Sequence, residues 1–188
     1  DLNDEFEINL ANPVELTDNV WTNYLRGVVN QLQLKGFKFE GFNCVFSSNI
    51  PVGSGLSSSA ALECGFLFGL NELFNLNIKP VDIALMGQKA EHWVGINCGI
   101  MDQFSSVMGL ENKVIKIDCR TLEYEYHNAD FNDYSLILFD SNVKHSLMTS
   151  AYNERRNQCE EGISIVKNNF PEITSFRDCT EQHILALQ

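Results

Sequence analysis

The sequence predicts a mixed α/β (α+β) fold, and three observations predict it. Helix-spaced apolar runs alternate with short strand-like runs along the 188 residues. Between residues 37 and 73 an extended segment, a glycine-rich turn and a long apolar helix follow one another. Two β-rich segments further on are spaced as a hairpin. With 44% hydrophobic residues, the chain can bury one substantial core, or one full domain and the beginning of another.

Taken in order, residues 6–10 alternate like a short strand. Asp18 is placed to cap a helix over residues 19–35, where Trp21, Tyr24, Leu25, Val28, Val29 and Leu32 recur at helical spacing and Gly36 provides the stop. Residues 37–49 read as extended and run into Pro51. Residues 56–73 are apolar for long enough to make a buried helix, and a further helix is expected over residues 81–94 behind Pro80. Gly95 and Gly99 bracket a turn before residues 101–108. Strands are expected over residues 113–118 and 122–127, with another β-rich run at 134–140 and a long helix over 147–168 that ends before Pro171. A domain boundary is expected near Asn132, giving domains 1–132 and 133–188.

The formal charge of −12, with only 13 Lys and Arg, argues against nucleic-acid or anionic-membrane partners, which attract clustered basic side chains. It does not argue against a nucleotide, because phosphates are commonly held by backbone N–H groups, a helix N-terminus and a metal ion. The six cysteines contain no Cys-x-x-Cys pair, which predicts reduced thiols and a cytoplasmic protein. No apolar run approaches the ~20 residues of a membrane span. The sequence sets no oligomeric state.

The turn Pro51-Val52-Gly53-Ser54-Gly55-Leu56-Ser57-Ser58-Ser59-Ala60-Ala61 has what an anion cradle needs. Its glycines permit close backbone approach, the following helix offers unpaired N–H groups, and the serines add hydroxyls, one of which could ligate Mg²⁺. From the residues alone such a turn is more often a plain connection with serine caps. It is neither a Walker A loop, lacking Gly-Lys-Ser/Thr, nor a Rossmann Gly-x-Gly-x-x-Gly turn. Downstream, Asp102 is a lone carboxylate in an apolar or neutral segment behind a glycine turn, suited either to a structural hydrogen bond or to acting as a base beside an attacking alcohol. Glu91 by itself reads as an ordinary helix-surface residue. His92 reads as a packing or hydrogen-bonding histidine.

Considered whole, the turn resembles the phosphate-binding motif Pro-x-Gly-x-Gly-Leu-Ser-Ser-Ser-Ala of the galactokinases, a branch of the GHMP small-molecule kinases. Gly99-Ile100-Met101-Asp102-Gln103-Phe104 resembles the family's sugar-site segment, and Ala90-Glu91-His92 its Ala-Glu-His segment. A third stretch, Asp140 to Leu147 followed by Ser150-Ala151-Tyr152-Asn153-Glu154-Arg155-Arg156, is similar to the family's entry to a second domain, with Ala151 where many members carry Glu. Trp21 to Val28 resembles a helix whose aromatic residues enclose adenine.

The resemblance implies a GHMP-kinase fold, with most of the N-terminal nucleotide domain and the start of the C-terminal one. It implies that Gly53, Ser54, Gly55, Leu56, Ser57, Ser58 and Ser59 hold the phosphates of ATP, that Ser59 and Glu91 hold Mg²⁺, and that Trp21 and Tyr24 contact adenine. It implies that Gly99, Asp102 and Tyr152 contact the sugar, with Asp102 catalytic at the C1 hydroxyl of galactose. The family's N-terminal Gly-Glu-His-x-Asp-Tyr segment and a late glycine-rich motif are missing, so the chain is expected to be a middle section. Two other functions stay open at this point: an ATP- and galactose-binding sensor without catalysis, and a kinase for a related sugar such as N-acetylgalactosamine or arabinose.

Overall fold

The structure, a computed structural model, describes residues 4–51, 54–131, 134–139 and 151–187. The chain forms two compact units, Asp1–His145 and Ser146–Gln188. The boundary expected near Asn132 lies outside the described residues.

In the first unit four helices pack together: α1 (Val20–Leu34), α2 (Ser58–Phe74), α3 (Pro80–Trp93) and α4 (Met101–Met108). Helix α3 is central, touching α1, α2 and α4. Each helix is bounded by local chemistry. Helix α1 ends at Gly36 (φ +77°), where Phe37 N–H donates to the Leu32 carbonyl at 3.0 Å, the six-to-one closure of a Schellman turn. Helix α2 ends the same way on left-handed Asn75, with Leu76 N–H on the Asn71 carbonyl. Pro80 opens α3, where its missing N–H has no helical partner to lose. At the other end, Gly95 (φ +100°) closes α3 with Ile96 N–H on the Glu91 carbonyl at 3.1 Å. The cap of α1 falls on Asn19, not on Asp18, and no side-chain cap bond forms there.

The main core joins Val28 and Leu32 of α1, Leu67 and Leu70 of α2, and Ile83, Met86 and Ala90 of α3. At roughly 1.5–3 kcal/mol for each large side chain removed from water, this cluster outweighs any individual polar contact in the unit. A second cluster sets Ile100 and Phe104 against Ala84 and the apolar residues Ile115, Ile117 and Leu122. It seats an antiparallel hairpin, β1 (Lys113–Ile117) and β2 (Tyr124–Asn128), in which Lys113 stands opposite Asn128 and Ile117 opposite Tyr124. The Asp118 carboxylate organises its turn by accepting from Arg120 and Thr121 N–H.

Three strand expectations are corrected. Residues 6–10, 37–49 and 134–139 carry no strand, and β1 with β2 is the only sheet among the described residues. The aromatic residues of 37–49 go into ring packing instead: the ring centroids of Phe39 and Phe74 lie 5.6 Å apart, and those of Phe42 and Phe66 6.1 Å. An alternating run becomes a strand only when a neighbour completes its ladder, and here side chains anchor the segment without one.

The second unit contains α5 (Ala151–Asn169), a short 3₁₀ turn (Phe176–Asp178) and α6 (Glu181–Leu185). Phe176 packs over Gly162, and Phe170 lies 4.8 Å from the His183 ring. The first residues of the long helix expected from 147 lie outside the described residues.

Candidate active site

Helix α2 begins in a sharply turned segment. Gly55 takes φ +79°, and Ser57, at the capping position, takes φ 55° and ψ 44°, a left-handed conformation uncommon for a residue with a Cβ. Its hydroxyl makes no capping bond. The Ser57 carbonyl accepts from Ala61 N–H at 3.0 Å and so starts the helix, while the N–H groups of the first turn have no side-chain cap. Ser54 folds onto its own turn, its hydroxyl donating to the Pro51 carbonyl at 2.8 Å. Leu56 and Gly55 are exposed, and Ser57, Ser58 and Ser59 are half-buried. Gly53 lies outside the described residues.

Ser59 and Glu63 are four positions apart on α2 and therefore share a face, as do Gly87 and Glu91 on α3. These two faces meet. Ser59 Oγ donates to Glu91 Oε1 at 2.8 Å, across 32 positions of sequence. The other oxygen of Glu91 accepts from Gln103 Nε2 of α4 at 2.5 Å and from Cys98 Sγ at 3.4 Å. Gly87 gives the helices room to do this: a Cβ there would stand 2.8 Å from Cys64 Sγ and 3.3 Å from Gln103 Cγ.

The site is a buried acidic cluster. Glu91 is 5% exposed and Glu63 fully buried, with neither Glu63 oxygen hydrogen-bonded. Burial first, and the charge of Glu91 second, push the Glu63 carboxyl up to about 10 against a smaller lowering by Gln103, so it holds its proton at neutral pH. Burial, then Glu91 and Glu63, raise the Tyr24 phenol to about 12; burial, then Glu63 and Glu91, raise the Cys64 thiol to about 12. The Cys98 thiol is also held well above its ordinary range, first by burial and then by Glu91. Among the described residues no lysine or arginine bonds to either carboxylate. A buried carboxylate without a cationic partner is costly, and a hydroxyl beside it completes a hard-oxygen pair suited to a divalent cation.

The loop between α3 and α4 is tied back to the same place. The Cys98 carbonyl accepts from Gln88 Nε2 at 3.2 Å and lies 2.9 Å from His92 Nε2, which makes His92 the hydrogen-bonding histidine its sequence context predicts. Gly99, exposed, leads into α4, whose first turn carries Asp102, half-buried, beside the fully buried Gln103.

The structure therefore brings together Ser59 and Glu91, and reaches the first turn that holds Asp102 through Gln103. Trp21 and Tyr24, three positions apart on α1, have different neighbours. The Trp21 indole donates to Asp4 at 2.9 Å and packs edge-on to Phe6 and Phe46, whereas Tyr24 stands in the field of the two glutamates. Tyr152 belongs to α5 of the second unit and is about half exposed. In that helix Arg156 pairs with Glu160 at 2.7 Å, an exposed i,i+4 bridge.

Sequence reasoning missed Glu63 and Gln103. A signal for Glu63 existed, because it is an acid four positions after Ser59, set among the apolar and small residues of that helix. For Gln103 there was none, since an amide beside a carboxylate has no distinguishing pattern.

Residues 23–110 match the family described as GHMP kinases N terminal domain. The chain is 45% identical over 162 residues to a galactokinase of Limosilactobacillus reuteri (strain DSM 20016), covering 84% of this chain and 41% of that protein. It is 42% identical over 178 residues to a galactokinase of Clostridium beijerinckii, covering 94% and 46%. The crystal structure of Lactococcus lactis galactokinase complexed with galactose superposes with a TM-score of 0.83 at 34% identity, covering 92% of this chain and 45% of that one. The chain thus spans less than half the length of these relatives.

Proposed function

We infer that the chain belongs to the GHMP kinase family, whose N-terminal domain its residues 23–110 match and whose fold it has, and from that premise we propose that it supplies the nucleotide-holding part of an ATP-dependent galactokinase. The reaction joins the C1 oxygen of galactose to the γ-phosphorus of ATP, breaks the bond to the β,γ-bridging oxygen, and releases galactose 1-phosphate, ADP and a proton.

One observation carries the reading. Directly below a left-handed serine turn at a helix N-terminus, the Ser59 hydroxyl meets the buried Glu91 carboxylate at 2.8 Å. The turn and first-turn N–H groups of α2 suit an anion, and the oxygen pair beneath suits its counter-cation. Gly53, Ser54, Gly55, Leu56, Ser57 and Ser58 would surround the ATP phosphates. Ser59 and Glu91 would hold Mg²⁺, which when bound neutralises phosphate charge during transfer.

Asp102 would orient the sugar hydroxyl and accept its proton, with Gly99 and Tyr152 as further sugar contacts and Trp21 and Tyr24 as nucleotide contacts. Phosphoryl transfer depends mainly on positioning and charge stabilisation, so the site's main task is to hold these groups still. Galactose as acceptor is supported by the relatives' names and by the galactose-bound structure. A cytoplasmic location is supported by six free cysteines.

The test is galactose-dependent ADP formation with Mg·ATP, run beside N-acetylgalactosamine and arabinose. Turnover on galactose supports the reading. Saturable binding of ATP and galactose without ADP release overturns it in favour of a sensor.

A further inference from the structure

The Glu91 carboxylate is gripped from two sides. Ser59 of α2 holds Oε1, and Gln103 of α4 holds Oε2 together with a longer contact from Cys98 Sγ at 3.4 Å. Gln103 is fully buried, and its hydrogen bond to Glu91 spans only 12 positions of sequence but joins two different helices. We propose that Gln103 is a positioning residue for Glu91: by holding Oε2 it keeps Oε1 turned toward the Ser59 hydroxyl. The inference rests on the kinase reading, and it deepens the part that concerns the cation.

The physical case has three parts. A glutamate side chain rotates freely about its last bond, and a carboxylate anchored at one oxygen alone can swing the other out of line. An amide donating to the second oxygen removes that freedom before any ligand arrives, which is how groups behind a metal ligand set its orientation. The amide's own orientation follows from chemistry, because its oxygen against a carboxylate oxygen would repel, so the nitrogen must face Glu91.

The packing around Gln103 is also built for the reach. A Cβ on residue 87 would come within 2.8 Å of Cys64 Sγ and 3.3 Å of the Gln103 Cγ, so glycine at that position of α3 leaves the stem its room. A fully buried amide whose nitrogen holds a carboxylate is explained by that carboxylate, since an apolar residue of equal size would have packed there without the cost of burying polar atoms. Because Asp102 is its neighbour on the first turn of α4, the same turn carries the cation-side support and the proposed sugar-side carboxylate.

The experiment is a calorimetric titration of ATP into the protein at graded Mg²⁺ concentrations and again with the metal chelated, for wild type, Gln103→Met, Glu91→Gln and the double variant. Gln103→Met should raise the Mg²⁺ concentration for half-maximal ATP binding by about 10–100-fold. It should leave metal-free ATP binding near wild type, whereas a merely structural role would shift metal-free and Mg²⁺-dependent binding alike. In the Glu91→Gln background the same substitution should change the Mg²⁺ requirement by less than about twofold, because its target is already lost.

An unchanged Mg²⁺ requirement in Gln103→Met, or an equal loss in both backgrounds, overturns the assignment. Gln103→Asn, which keeps the amide but draws it back by one methylene, carries the same expectation and the same overturning results if the Met variant does not fold. Wild type with no Mg²⁺-dependent ATP binding would instead overturn the kinase reading itself.

Discussion

Ser59 Oγ and Glu91 Oε1 stand 2.8 Å apart although 32 positions of sequence separate them. Two helices of different origin supply the two atoms, and the glycine at position 87 permits their approach. Four consequences of this architecture can be measured.

Replacement of Asp102 by Asn keeps the size of the side chain and removes its ability to take a proton. Turnover on galactose should fall by about 10²–10⁴-fold, the usual worth of a positioned general base. ATP binding, followed by calorimetry, should stay within a few-fold of wild type, since the Ser59–Glu91 pair is untouched. Loss of ATP binding along with turnover would place Asp102 in the nucleotide site instead.

The pH dependence of stability should carry the mark of Glu63. Its carboxyl keeps its proton in the folded chain up to about pH 10, against an ordinary value of 4.5. Between those values the folded chain binds more protons than the unfolded one, so this group's contribution to stability is complete below the lower value and declines as pH rises toward the upper. Melting curves of Glu63→Gln should therefore lose less stability than wild type between about pH 5 and pH 9. Parallel curves would show that Glu63 is not the group responsible.

Two helical glycines should respond in opposite directions to alanine. At Gly27 a Cβ would lie 2.8 Å from the Ala90 carbonyl oxygen, a backbone atom that cannot yield without moving α3, so Gly27→Ala should cost about 1–3 kcal/mol. Gly69, in the middle of α2, faces open space, and Gly69→Ala should add up to about 1 kcal/mol through helix propensity. Urea unfolding midpoints decide it: two changes of the same sign would contradict the packing described.

The hairpin is tied to α4 by Tyr126, whose hydroxyl donates to the Met108 carbonyl at 2.7 Å. Tyr126→Phe should cost about 0.5–1.5 kcal/mol, the net worth of one hydrogen bond. Amide exchange should quicken most in β1 and β2. Uniform acceleration across α1 to α3 would mean that the bond supports the whole unit rather than the hairpin.

The helices were legible because their signals are local. Apolar spacing in α1, Pro80 at the start of α3 and the glycines after α1 and α3 act within a few residues, and the ends of α1 to α4 fell within about two residues of expectation, while α6 was not expected at all. The strands were legible only where both partners are adjacent in sequence, as in the hairpin. Residues 37–49 read as extended, but pairing is a property of two segments, and the sequence of one cannot reveal whether the other is there.

The candidate site divides in the same way. Ser59, Glu91 and Asp102 were singled out through motif resemblance, and the hydrogen bond that joins Ser59 to Glu91 is a property of the assembled helices. Glu63 and Gln103 make the cluster what it is electrostatically, yet each is an ordinary residue type until α2, α3 and α4 are assembled.

Gly87 touches no proposed ligand, yet it stands where Cys64 and Gln103 close in on α3. In a library of random variants it should therefore behave as an active-site position, rejecting even alanine, while bulkier changes at exposed loop residues pass unnoticed. Part of what this site requires is written as a missing methyl group, and a search that ranks positions by the reactivity of their side chains would rank that one last.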